Sequence, residues 1–170
     1  MTPRLTLFCL FSVLLGLSGC SHYQLGTEGR LTFTTLYVEP VTNKTMLPQA
    51  QAIVSGQLRE AFLQDSRVTL VNSAAEADAT LSVVINDYHR ETTAAREDDT
   101  GLARKFALTL GTACTLRDQR TGKVLFEKRK VEVRRDAFTD SGQLQSEYQM
   151  LPILSQALAK KISGTVLDVW

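Results

Sequence analysis

Alternating apolar and polar residues, with a run rich in β-branched and aromatic residues at 31–38, predict four or five β-strands along this chain. The clearest alternation lies in residues 79–89, where Leu81, Val83 and Ile85 share one face and polar residues share the other. Strands with this pattern usually place one face on a core and the other in or near water. The last three strands are predicted to form a meander, with a hairpin loop at residues 118–122. The predicted strands span residues 31–38, 67–72, 79–89, 106–116 and 123–135, with loops at residues 39–47 and 91–101.

Two other segments have the three- and four-residue spacing of amphipathic helices. The first spans residues 49–64, and the second follows Gln143. Pro152 leaves two alternatives open for the second. It lies in the first turn of a helix that starts near Gln149, or inside a longer helix that begins near Gln143. The apolar stripe of this segment consists of Leu151, Leu154, Leu158, Ile162, Val166 and Val169.

Each predicted element has one apolar face, so the elements must cover one another. The sequence therefore predicts an α+β fold, a two-layer sandwich with two amphipathic helices packed on one face of a four- to five-stranded mixed sheet. If the first two strands are parallel neighbours, the helix between them forms a right-handed crossover. Gly111, inside the fourth strand, is predicted to mark a bend or a bulge.

The N-terminal residues have the pattern of a bacterial secretory signal. Arg4 supplies the positive charge, and the apolar run of residues 5–17 is too short to span a hydrocarbon layer of about 30 Å. The sequence Leu17-Ser18-Gly19-Cys20 resembles the lipobox of bacterial lipoproteins, which implies that the Cys20 thiol is diacylated and becomes the mature N-terminus. This resemblance also implies an outer-membrane address, because Ser21 stands where an Asp is the usual inner-membrane retention signal. We predict a signal peptide at residues 1–19, an acylated tether at residues 20–29 and a single α+β domain at residues 30–170.

Charge and composition give no support for nucleic-acid binding or for catalysis. The chain has 19 Lys and Arg residues and 18 Asp and Glu residues. Removal of the predicted signal, which contains Arg4, leaves 18 of each. His22 and His89 have no second ligand at metal-binding spacing, and no phosphate loop or nucleophile motif occurs. We therefore expect a protein that is not an enzyme, with no cofactor, no catalytic residue and no metal site. Cys114 has no disulfide partner once Cys20 is acylated, and it is predicted to be a buried, inert thiol.

The last predicted strand carries a cluster of basic residues. Period-two geometry places Lys128, Lys130 and Arg134 on one face, and Arg129 and Arg135 on the other. One interpretation is a charged face that protects an edge strand from unwanted pairing. The other is a docking strip for phosphates or acidic groups. The sequence leaves both interpretations open.

Several short motifs occur in order along the mature chain. They are Tyr23-Gln24-Leu25-Gly26 after the anchor, Val38-Glu39-Pro40-Val41-Thr42-Asn43-Lys44-Thr45 at the exit of the first strand, Ala77-Asp78-Ala79-Thr80-Leu81 at the start of the third, and a final helix ending at Trp170. Together with the lipobox and the order of elements, these motifs resemble the LptE family of lipopolysaccharide-assembly lipoproteins. The tether lacks the longer Gly-aromatic pattern associated with enterobacterial members, so the resemblance is to a divergent member.

The resemblance implies an outer-membrane lipoprotein on the periplasmic face, held to the membrane by its lipid anchor. In that family the domain plugs a β-barrel translocon, an LptD-like protein, and helps to insert lipopolysaccharide without acting as an enzyme. On chemical grounds, Lys128, Lys130 and Arg134 are the best candidates for contact with lipopolysaccharide phosphates. The alternative function is another envelope lipoprotein, a pilotin-like or scaffold module of a secretion or efflux complex. The two functions differ in the partner that would co-purify.

Overall fold

The computed structural model describes residues 31–47, 49–95, 103–138 and 143–168. The predicted signal peptide and tether, including Cys20, lie outside the described residues. The elements in chain order are β1 Thr35–Val38, β2 Thr42–Asn43, α1 Ala50–Leu63, β3 Thr69–Leu70, a 3-10 turn Ala74–Glu76, β4 Ala79–Ala95, β5 Ala103–Asp118, β6 Val124–Phe138 and α2 Gln143–Leu167.

The strands form one mixed, six-stranded sheet in the order β3-β1-β4-β5-β6, with β2 paired to β4. β1 runs parallel to both β3 and β4. β4, β5 and β6 form the predicted antiparallel meander. The two helices contact each other, and their buried side chains join those of the sheet in one core. The predicted α+β sandwich of two helices on a mixed sheet is therefore confirmed.

The apolar stripes of the helices and the sheet meet in this core. Leu58 of α1, Leu158 of α2 and Leu81 of β4 are all fully buried. Complete burial of such a side chain contributes about 1.5–3 kcal/mol relative to leaving it exposed. Cys114 lies in the same core, where burial raises the pKa of its thiol to about 11. A thiol of this kind stays protonated and unreactive at neutral pH.

α2 is one continuous helix with Pro152 inside it, which supports the longer of the two predicted alternatives. Proline has no N–H to donate to the carbonyl of Tyr148, one turn earlier, and its ring crowds that carbonyl. The neighbouring Leu151 and Leu154 are buried in the core. Tertiary packing of the apolar face therefore outweighs the local cost of the proline. Among the described residues, no helix is both long and apolar enough to cross a membrane.

Two strands of the sheet are only two residues long. β3 is shorter than the predicted strand at residues 67–72, and β2 lies in a segment predicted to be a loop. The Asn43 side chain closes the turn after β2, because it accepts a hydrogen bond from the Thr45 N–H (2.9 Å) and donates one to the Leu47 carbonyl (2.7 Å). A strand of two residues has too few positions to show a hydrophobic period.

The hairpin of β4 and β5 extends farther than its apolar pattern. Residues 91–95 belong to β4 and pair with β5, so their prediction as part of a solvent loop was wrong. Backbone pairing needs no apolar side chains, and polar residues continue a strand once its neighbour is aligned. A bend or bulge was predicted at Gly111 of β5, but the irregularity occurs on the paired strand β4. The register shifts between Ile85 and Asp87, and a Cβ added to Gly111 would lie 3.0 Å from the Cβ of Asp87.

Side-chain hydrogen bonds, together with a backbone bond from the Thr69 N–H to the Thr34 carbonyl (2.8 Å), hold the segment before β1. The sequence predicts a strand from residue 31, but β1 begins at Thr35. The Asp78 carboxylate accepts hydrogen bonds from the backbone N–H of Thr34 (2.9 Å) and of Thr35 (3.0 Å), and from the Thr34 hydroxyl (2.9 Å). The Arg120 guanidinium donates to the Thr32 carbonyl and lies 3.8 Å from Asp78. These contacts fix the point at which the chain enters the sheet.

These contacts predict that Asp78 makes the fold sensitive to acid. Hydrogen bonds from the backbone of Thr34 and then of Thr35 hold the pKa of Asp78 well below its usual range. The stabilisation is therefore present above the unfolded pKa of about 4 and is lost as the pH falls below it. We expect Asp78→Asn to lower the Tm at neutral pH, with the difference from wild type shrinking below about pH 4.

Thermal unfolding of both proteins across this pH range measures the effect. Glu76→Gln is the matched control, because Glu76 is an exposed acidic residue in the neighbouring turn, and it should leave the Tm nearly unchanged. A Tm difference for Asp78→Asn that is the same at every pH would contradict the prediction.

Candidate functional site

β6, which carries the predicted basic residues, lies at one edge of the sheet. Val131 is buried, so Lys130 and Arg134, which alternate with it, lie on the face away from the helices. Arg135 stands opposite the buried Leu108 and therefore lies on the helix side. The adjacent residues Arg134 and Arg135 thus belong to opposite faces, which is the predicted division.

Lys128 lies in a β-bulge that strict alternation does not anticipate. Phe126 pairs with Leu116, and Arg129 pairs with Cys114. Glu127 and Lys128 of β6 therefore both stand opposite Thr115 of β5. Lys128 is one of the two, and its φ of 47° lies in the left-handed region, which is uncommon for a residue other than glycine. Its backbone N–H donates to the hydroxyl of Thr115 at 3.1 Å.

Each of the three predicted phosphate-binding residues has an acidic neighbour. Lys130 pairs with Glu132 at 2.6 Å, Arg134 with Glu91 at 3.0 Å and Lys128 with Glu127 at 3.3 Å. The hydrogen bond that Lys130 donates to the Glu132 carboxylate raises the pKa of Lys130. The strip is therefore a row of exposed ion pairs, and a ligand phosphate would have to replace carboxylates there.

The free edge of β6 has several features that discourage pairing with another strand. The bulge at Lys128 distorts the edge, and charged side chains follow along the strand. The ammonium group of Lys161, in α2, donates to the main-chain carbonyl of Glu132 at 3.0 Å. Bulges and charged residues are common means of protecting edge strands. The geometry thus fits the edge-protection interpretation, and phosphate binding stays a prediction.

A groove of about 740 Å³ is lined by residues of α1, α2, the segment after α1 and β6. Arg67 pairs with Asp65 and Asp168, both at 2.8 Å, which joins the segment after α1 to the end of α2. The hydrogen bond with Asp65 raises the pKa of Arg67, and the same bond lowers that of Asp65. Arg135 and Lys160 also line the groove.

A smaller apolar cleft of about 150 Å³ lies between the residues that precede α1 and the first turns of α2. Met46, Leu144 and Tyr148 line it and are 98%, 67% and 53% exposed. On its inner side, the Tyr88 hydroxyl donates to Glu147 at 3.3 Å. Burial, followed by the charge of Glu147, raises the pKa of Tyr88 to about 12.

Sequence reasoning missed both the groove and the cleft. Each is built from segments that are distant in the chain, and only the folded structure brings them together. One sequence signal did exist for the cleft, because Leu144 and Tyr148 have helical spacing but precede the predicted apolar stripe. Among the described residues, no group of three or more His, Cys, Asp or Glu side chains is placed to hold a metal ion.

The comparisons with known proteins agree with this architecture. The family model described as LptE, lipopolysaccharide-assembly, matches residues 33–163. No curated protein matches the chain significantly. The matched region begins just before β1 and ends inside α2, so it contains all the strands, α1 and the basic strip of β6.

Three solved structures illustrate the fold similarity. An uncharacterized lipoprotein B from Nitrosomonas europaea has a TM-score of 0.54 at 17% identity, over 88% of this chain and 89% of that one. A minor lipoprotein from Acinetobacter baumannii has a TM-score of 0.54 at 20% identity, over 80% and 94%. A Xanthomonas campestris protein has a TM-score of 0.61 at 11% identity, over 81% and 85%. At these identities the likeness concerns the fold alone.

Proposed function

Because this chain belongs to the LptE family of lipopolysaccharide-assembly proteins, we propose that it is the assembly and plug subunit of a β-barrel lipopolysaccharide translocon. In this proposal the protein is a lipoprotein anchored by acylated Cys20 to the periplasmic face of the outer membrane. It assists insertion of lipopolysaccharide without catalysing a reaction. The observation that carries the proposal is the family match over residues 33–163.

The uncovered face of the sheet supports a position inside a wet barrel. Its charged residues occur as exposed pairs of opposite sign, as between Glu91 and Arg134 and between Lys105 and Asp136. Such a face keeps its charges hydrated or paired when it enters a water-filled lumen, so the desolvation cost is small. The predicted mature chain has equal numbers of acidic and basic residues, so its net charge would not oppose entry into the barrel.

Purification of the native lipoprotein from detergent-solubilised envelopes tests the proposal. We expect a β-barrel protein to co-purify in equimolar amount, and depletion of the lipoprotein to reduce lipopolysaccharide at the cell surface. A lipoprotein that purifies alone would contradict the proposal. Co-purification with a secretion or efflux complex, with surface lipopolysaccharide unchanged, would favour the scaffold alternative.

Within this function, Lys128, Lys130 and Arg134 are proposed to contact lipopolysaccharide phosphates. Their carboxylate partners are exposed, and exposed ion pairs are weak enough for a doubly charged phosphate to displace them. We expect the triple charge reversal to glutamate to weaken lipopolysaccharide binding by about tenfold and to make the remaining binding less sensitive to salt.

The triple variant should keep its fold, because all three side chains are largely exposed. Binding is measured by titration with purified lipopolysaccharide, and folding by thermal unfolding of the same samples. The control reverses Lys44, Arg59 and Lys123, three exposed or partly exposed cations outside this face of β6. Unchanged affinity in the triple variant would leave edge protection as the role of these residues.

A further inference from the structure

The first turns of α2 bury little of their surface in the domain. Of residues 144–150, the one side chain that is buried is Ser146, which is polar. Met150 is half-buried against the core, and Leu144 and Tyr148 are largely exposed. The helix after Pro152 differs, because eight of residues 153–167 are buried. A segment that buries little apolar surface opens locally at a lower free energy than the rest of its domain.

Pro152 stands close to the point where this segment meets the buried part of α2. It lacks the N–H that would bond to the Tyr148 carbonyl, so one of the helical hydrogen bonds that join the two parts is missing. Leu151, directly before the proline, is buried in the core and fixes the helix at this point. Proline inside a helix is among the few causes of a sharp kink. The position can therefore act as a hinge.

Polar contacts join the segment to the sheet. The Glu147 carboxylate accepts hydrogen bonds from the Tyr88 hydroxyl (3.3 Å) and from the Arg90 guanidinium, both in β4. The Ser146 hydroxyl donates to the Phe138 carbonyl at 2.6 Å. Hydrogen bonds to a charged group are stronger than those between neutral groups, so Glu147 is the strongest of these attachments.

The same segment forms one wall of the apolar cleft of about 150 Å³. Leu144 and Tyr148 belong to the segment, whereas Leu47 and Tyr88 belong to the rest of the domain. A rotation of the segment about Pro152 would therefore change the width of the cleft. A cavity of this volume has room for about one aromatic ring, so a larger apolar group needs a wider cleft.

From these observations we propose that residues 143–150 form a lid over the apolar cleft, which opens about Pro152 and is held closed by Glu147. Opening moves Leu144 and Tyr148 away from Leu47 and gives an apolar group access to the edge of the core. The inference concerns a motion within the domain. It therefore holds or fails separately from the proposed barrel partnership.

Hydrogen exchange of the full-length protein, measured residue by residue, tests this inference. The amides of residues 147–150 lie beyond the first turn and have helical partners, so their rates can be compared with those of residues 156–166. We expect residues 147–150 to exchange at least about tenfold faster than residues 156–166 in the wild type. E147Q should speed exchange at residues 147–150 by about tenfold and leave residues 156–166 unchanged. P152A restores the missing hydrogen bond and should slow exchange at residues 147–150 by at least about tenfold.

Glu60→Gln and Gln149→Ala are the matched controls. Glu60 accepts hydrogen bonds from side chains of its own helix or the residue after it, and Gln149 is an exposed residue of the lid. Neither residue belongs to the hinge or to the contacts of Glu147, so both variants should keep the wild-type exchange rates in α2. Equal exchange on the two sides of Pro152 in the wild type, or unchanged exchange at residues 147–150 in P152A, would overturn the inference. So would an effect of E147Q that is as large at residues 156–166 as in the lid.

Binding of anilinonaphthalene sulfonate, a dye that detects accessible apolar surface, measures the width of the cleft in the same samples. Its fluorescence should rise in E147Q and fall in P152A relative to the wild type. Dye binding that is the same in all three proteins would contradict the part of the inference that links the lid to the cleft.

Discussion

Replacement of Leu158 by alanine should lower the free energy of unfolding by about 2–5 kcal/mol. Leu158 is fully buried at the centre of the α2 stripe, within the core shared by both helices and the sheet. Truncation removes apolar contacts and leaves a cavity that the surrounding residues fill only in part. The loss is large against the total stability of a typical domain, about 5–15 kcal/mol.

Urea denaturation monitored by circular dichroism measures this change as a lower midpoint with an unchanged slope. Leu63→Ala is the matched control, because Leu63 lies in α1 but is 71% exposed. Its effect should stay within about 0.5 kcal/mol. A midpoint for Leu158→Ala that equals the control would mean that the helical stripe has been assigned to the wrong face.

The second large effect is expected for Cys20→Ser, which should abolish incorporation of fatty acid. The hydroxyl that replaces the thiol cannot form the thioether through which the proposed lipid is attached. Each buried methylene contributes about 0.8 kcal/mol to membrane binding, so two or three acyl chains account for almost the whole of a stable anchor. No other residue of the chain has a lipobox before it.

Metabolic labelling with an alkyne-bearing fatty acid measures this loss directly. Cys114→Ala should keep the label, because Cys114 is buried in the core and has no lipobox. Mass spectrometry of the N-terminal peptide locates the modification. An unlabelled wild-type protein would contradict the predicted lipoprotein class, and a labelled Cys20→Ser variant would move the anchor to another residue.

Hydrophobic periodicity was sufficient to predict the two helices and the meander. The stripe that contains Leu158 and the alternation that contains Leu81 each describe one buried face, and packing these faces together leaves few architectures. The outcome at Pro152 could not be predicted in the same way. A proline inside a helix opposes local propensity, and only the packing of Leu151 and Leu154 on the core shows why the helix continues.

The candidate sites were less predictable than the fold because they depend on pairing between distant residues. Alternation assigned Lys130 and Arg134 to one face correctly, and it also places Glu132 beside Lys130. It gave no sign that Glu91, from another strand, pairs with Arg134. The bulge at Lys128 also has no signature in a regular pattern. Arg135 and Lys160 come together only because α2 packs beside β6, so the groove requires tertiary structure.

The way Asp78 holds the start of β1 determines how the domain would carry mechanical load. β1 lies between β3 and β4 and runs parallel to both, so a pull directed along β1 would act parallel to its two neighbours. The ladder bonds on both sides of β1 then resist together in shear instead of breaking one at a time. The hydrogen bonds that Thr34 and Thr35 donate to Asp78 would share this force, and Arg120 links the Thr32 carbonyl to the β5–β6 turn. A domain pulled in this direction would have to break these hydrogen bonds together before its sheet could open.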